Sequence, residues 1–109
     1  MSKTAAELPI KISERAREEV QAIMSVKSIP KGYGLRIGVR GGGCSGVSFI
    51  VGFDKPKEKD DIYDLGDFQV LIEKRHTLYV VGLLVDFVDT ATERGFSFQH
   101  PDLENSDRK

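Results

Sequence analysis

Two periods run along this chain. Between Ser13 and Val26, Ala16, Val20, Ile23 and Met24 recur at roughly helical spacing, with Arg15, Arg17, Glu18 and Glu19 mostly on the other side. Ser13 is a good N-cap and Glu14 suits a first turn. The pattern predicts a helix over 13–26, closed before Pro30 and Gly32. After Gly34 the period falls to two. Leu35, Ile37 and Val39 alternate with Arg36, Gly38 and Arg40, and Val47, Phe49, Val51 and Phe53 alternate with Ser48, Ile50 and Gly52. These stretches predict two strands, each with one buried face.

Downstream the signals are shorter. Asp54 to Asp61 reads as a charged loop containing Pro56, and Ile62 to Leu65 as a short strand. Gly66-Asp67 is a turn candidate before Phe68, Val70 and Ile72 alternate again. Arg75 to Val81 fits either a strand or one or two helical turns. Leu83 to Val88 and Phe96 to Gln99 read as strands. One helix followed by many short strands gives the α+β class. Residues 1–9 read as a flexible N-terminus, 10–101 as the folded domain and 102–109 as a polar tail.

The chain has 109 residues, 39% of them hydrophobic, enough for one modest core. Thirty per cent are charged, yet the net charge is only -1, which offers no broad basic field for nucleic acid. No apolar run reaches the length that spans a bilayer, and Met1 to Ile10 has no secretory h-region. Cys44 is the only cysteine. A lone thiol among glycines fits a reducing, cytoplasmic setting better than an oxidising one.

Cys44 lies in Gly41-Gly42-Gly43-Cys44-Ser45-Gly46, between the two predicted strands. This stretch matches G-x-G-x-x-G, but a dinucleotide fingerprint needs a helix after the glycines, and Val47 to Phe53 alternate like a strand. Thiol catalysis needs a base or a field that favours the thiolate. Arg40 is near in sequence, while His76 and His100, the only histidines, have no spacing that implies contact. As a metal ligand Cys44 is more attractive, because glycines allow close approach and their amides can face an anion or sulfide. A half-buried turn residue is the plain alternative. Asp60, Asp61, Asp64 and Asp67 lack the alternation of a calcium loop and read as a solvated stretch. One Arg40-Gly41-Gly42 triplet does not make an RNA-binding segment.

The order of these features resembles a known family. Leu35-Arg36-Ile37-Gly38-Val39-Arg40-Gly41-Gly42-Gly43-Cys44-Ser45-Gly46 is similar to the cysteine motif of the A-type iron–sulfur carriers, the HesB/IscA-like family. Asp86-Phe87-Val88 and Gly95-Phe96-Ser97-Phe98 resemble its later blocks, in the same order. The resemblance implies a compact α+β fold: an N-terminal helix, then short, mostly antiparallel strands and one short helix. It also implies a homo-oligomer rather than an enzyme. The cofactor it implies is an iron–sulfur cluster or iron, and the partners are cluster donor and recipient proteins, with no nucleic acid and no membrane.

In that family three cysteines are the usual ligands. The first matches Cys44. The other two form a C-x-C that, counted without gaps from Gly95, falls on Asp107 and Lys109. The resemblance therefore makes Cys44 the metal- and cofactor-binding residue, with further ligands from other subunits, small thiols or Asp107. The alternative is a degenerate member that binds no metal and serves as a protein-interaction module.

Overall fold

The computed structural model describes residues 3–41 and 47–100. Helix α1 covers Glu14–Val26, and Ser13 caps it by accepting the Ala16 N–H at 3.1 Å. Ala16 and Val20 are fully buried, and Met24 packs against the same core. Ser28 ends the helix in the left-handed region, φ 52°, while the Ile29 N–H returns to the Met24 carbonyl at 3.0 Å.

The strands are β1 (Lys3–Thr4), β2 (Lys11–Ile12), β3 (Gly34–Gly41), β4 (Val47–Asp54), β5 (Asp60–Asp64), β6 (Gln69–Glu73), β7 (Leu84–Asp89) and β8 (Arg94–Gln99). They form a five-stranded sheet, ordered β1-β5-β6-β3-β4, and a three-stranded sheet, ordered β2-β7-β8. The antiparallel pairs β3–β4, β5–β6 and β7–β8 carry the long registers. The parallel pairs β1–β5, β3–β6 and β2–β7 hold two residues each. The fold is thus the expected α+β architecture, mostly antiparallel.

Leu35 and Ile37 of β3, Val70 and Ile72 of β6 and Val85 of β7 are fully buried with Val20 of α1. Each such side chain contributes about 1.5–3 kcal/mol of transfer free energy. Phe87 and Phe96 meet edge-on across β7–β8, centroids 5.2 Å apart, beneath the Arg94 guanidinium.

Three local readings change. Residues 3–9, which show no sequence period, hold β1 and a 3-10 turn over Ala5–Glu7, and Leu8 packs on the core. Strand β5 starts at Asp60 rather than Ile62, because Asp60 already pairs with Glu73. The ambiguous 75–81 stretch is helical: a 3-10 turn over Lys74–His76 leads into α2, Thr77–Val80. Val80 alone of its apolar residues is buried, so the one-sided anchoring of a helical turn wins over β propensity.

Gly34 is a point of close approach between β3 and β6. A Cβ there would stand 2.8 Å from the Gln69 carbonyl oxygen, a backbone atom that cannot rotate away. Gly34→Ala should lower the unfolding free energy by about 1–3 kcal/mol in urea titration. At Gly52, on the same hairpin, a Cβ would meet nothing within 4 Å. Gly52→Ala should therefore stay within about 0.5 kcal/mol of the parent.

Candidate functional site

The longest register among the described residues, eight residue pairs from Gly34↔Asp54 to Gly41↔Val47, brings the ends of β3 and β4 together on either side of 42–46. Cross-strand partners share a face. Leu35, Ile37, Val39, Phe49, Val51 and Phe53 turn to the core, and Arg36, Gly38, Arg40, Ser48, Ile50 and Gly52 turn outward. At the end of β3, Gly41 has φ +88°, a conformation that side chains disfavour. Cys44 lies in the segment between these ends and is outside the described residues, as are Asp107 and Lys109.

The other end of the hairpin is fixed by charge. Arg36 donates from Nε to Asp54 at 2.9 Å and from both terminal nitrogens to Asp60 at 2.7 Å each, and one of these nitrogens also reaches the Lys55 carbonyl at 3.1 Å. The Asp60 side chain is 1% exposed and also accepts the Lys57 N–H at 2.7 Å. Its hydrogen bonds from Arg36 hold the Asp60 carboxyl below the usual carboxylate range, and Asp60 in turn raises Arg36.

The acidic stretch is therefore not uniformly solvated. Asp60 is a buried ion-pair partner. Asp61 faces Lys74 at 4.0 Å, Asp64 accepts the Gly66 N–H at 2.8 Å, and Asp67 pairs with Arg17 at 3.1 Å. Among the described residues, no group of three or more His, Cys, Asp and Glu side chains comes together to hold a metal ion.

The two histidines part company. His76 lies over Gly38 on the outer face of β3, its Nδ1 3.1 Å from where a Cβ would stand. It borders an open hollow of about 520 Å³ with Ile50, Lys59 and Asp60. His100 stacks on Phe49, centroids 5.8 Å apart and planes 13° apart, and Phe49 also meets Phe98 at 6.0 Å. Phe49 is the third residue of β4. The described chain thus ends beside the strand that leaves 42–46. Sequence spacing gave no sign of this contact, because it joins the two sheets. Arg40 sits at the exposed end of β3, opposite Ser48.

The Asp86-Phe87-Val88 block has a visible job. Asp86 accepts the Ser13 hydroxyl at 2.5 Å, its own neighbour's Phe87 N–H at 2.8 Å and the Arg15 guanidinium at 3.1 Å. The Ser13 hydroxyl first, then the Phe87 amide and Arg15, hold its carboxyl below the ordinary range. The cap of α1 is thereby fixed to β7.

A family model described as iron–sulphur cluster biosynthesis matches residues 8–106. The iron-binding protein IscA of Yersinia pestis is 33% identical over 99 residues, covering 90% of this chain and 91% of its own. The crystal structure of Escherichia coli SufA, involved in biosynthesis of iron–sulfur clusters, superposes with a TM-score of 0.70 at 22% identity, over 84% of this chain and 80% of that one. The crystal structure of IscA with the [2Fe–2S] cluster gives 0.65 at 19% identity, over 84% and 82%.

Asp60→Asn removes one carboxylate from a partly buried guanidinium that keeps Asp54, and should cost about 3 kcal/mol in urea unfolding at pH 7. The sign with pH follows from the lowered carboxyls of Asp60 and Asp86. Their contribution is complete above the unfolded value of about 4 and is lost as pH falls through the folded values. Asp60→Asn should therefore flatten the acid limb of the stability profile. An acid limb as steep as the parent's would contradict this.

Proposed function

Because the chain belongs to the iron–sulphur cluster biosynthesis family, we propose that Cys44 takes an iron–sulfur cluster, or iron, as transient cargo from donor proteins and passes it to recipient proteins. The observation that carries this reading is the placing of the chain's single thiol between the paired ends Gly41 and Val47, within a family-like motif. The family match and the cluster-bearing IscA support it.

The cargo is held between copies. Such clusters are generally bound by four thiolates, and one chain supplies one. Two chains meeting at Cys44 supply two, and small thiols or Asp107 take the remaining positions. A carboxylate is a harder ligand than a thiolate, so retention is weak, which suits release. The protein acts as a homo-oligomeric carrier with no reaction of its own. It works in the cytoplasm, where a free thiol stays reduced.

Asp107 and Lys109, standing where the family's C-x-C falls, favour a second reading: a member that holds no metal and acts as a protein-interaction module.

Anaerobic reconstitution with ferrous iron and sulfide tests the first reading. The wild type should develop visible absorbance with about one iron per chain, one two-iron cluster per two chains. Cys44→Ser should abolish it. Asp107→Cys with Lys109→Cys should slow loss of the colour to a chelator. A colourless wild type sinks the carrier reading, and unchanged partner pull-downs by Cys44→Ser then identify the interaction module.

A further inference from the structure

Strand β4 is the outer strand of the five-stranded sheet, with β3 on one side only. Every second N–H and C=O along its eight residues therefore points away from the sheet. Among the described residues no backbone group pairs with that side. The other outer strands are less open. β1 and β2 hold two residues each, and β8 begins at Arg94, which is tied to Glu19 at 3.3 Å. Strand β4 also lacks the usual guards. Ser48-Phe49-Ile50-Val51-Gly52-Phe53 contains no charge and no proline, the residues that commonly keep a free edge from pairing. An extended polypeptide is the ligand whose own main chain matches such a row of donors and acceptors.

The two faces of β4 set the side chains that such a polypeptide carries. On the inner face, Val51 and Phe53 are half-buried, while Ile37 and Leu35 opposite them are fully buried. The apolar surface left there suits apolar side chains of an added strand. Phe49 is already covered by Phe98 and His100. On the outer face, a Cβ at Gly52 would meet nothing within 4 Å, and an open hollow of about 210 Å³ lies between Gly52, Ile50, Arg36 and Arg40. Arg36 is committed to Asp54 and Asp60. Arg40 is exposed and has no carboxylate partner among the described residues. An added strand lies two strand spacings from β3, about 10 Å, which an arginine and a glutamate side chain span together. Opposite charge there favours acids on the outward positions. A second β4 would bring none, because its outward residues are Ser48, Ile50 and Gly52, and its Asp54 is held by Arg36.

We propose that the free edge of β4 receives an extended segment of another protein as an added strand, with apolar side chains over Val51 and Phe53 and acidic ones toward Arg40. Strand β4 starts at Val47, directly after 42–46, so the added segment runs up to the stretch that holds Cys44. Pairing of this kind needs no thiol and no cargo, so it stands or falls apart from the carrier reading.

Hydrogen exchange and NMR titration of the full, metal-free chain test the edge, with a blocked seven-residue peptide that alternates valine and glutamate as the probe. In the free protein, alternate amides of 48–54 should exchange fast at every protein concentration. The peptide should bind saturably below about 1 mM and slow those amides about tenfold at ten times its Kd. A valine–lysine peptide should bind about tenfold more weakly, and Arg40→Glu should reverse that preference. Should that variant not fold, Arg40→Gln should erase the preference. Of two glutamate peptides methylated on either the valine or the glutamate nitrogens, at least one should lose binding, since only backbone bonds are removed. Cys44→Ser should bind like the wild type. Alternate amides already protected in the free protein, by the chain itself or by a second copy at higher concentration, would overturn the proposal. So would the absence of a saturable shift by about 1 mM, two methylated peptides that bind undiminished, or an unchanged charge preference in the Arg40 variants.

Discussion

The guanidinium of Arg36 is the tie on which the hairpin depends. Strand β3 joins β6 through a register of only two residues, so backbone pairing alone seats it loosely in the sheet. Arg36 adds a charge-assisted, two-pronged contact to Asp60 at the start of β5 and a third to Asp54 at the end of β4. Burying Asp60 carries a desolvation cost, and the pair of short bonds with the Lys57 amide offsets it. With that end fixed, the alternation of β3 and β4 has one register. A slip of one residue would turn Leu35 and Ile37 outward and bring the arginines in.

Much of this was legible because burial is one-sided. Ser13, Ala16 and Val20 announce α1, and the strict alternation from Leu35 to Phe53 announces the hairpin and puts the thiol between its ends. What was not legible lacks a period or needs a distant partner. Strands β1 and β2 have two residues each, and α2 has four, too few to show any repeat. Asp60 looks like its acidic neighbours until Arg36 is set beside it. The His100–Phe49 stack joins the two sheets, and nothing local to either residue foretells it.

One thiol per chain has a consequence for how such a carrier behaves. If Cys44 is the cluster's ligand, as proposed, holding a cluster becomes a property of an assembly, and retention depends on protein concentration as well as on ligand strength.

The two shortest strands set an order of events during synthesis. Lys3 and Thr4 find their partners in β5, while Lys11, Ile12 and the Ser13 cap find theirs in β7, and Ser13 and Asp86 lie 73 residues apart. Lys3 and Thr4 have no partner strand until Asp60–Asp64 has been made, and Lys11 and Ile12 none until Leu84–Asp89 has. The parallel pairings Lys3↔Tyr63 and Lys11↔Leu84 join residues 60 and 73 positions apart, and closing loops of that length carries a larger entropic cost than closing the hairpins. Both short strands are thus synthesised well before the strands that seat them.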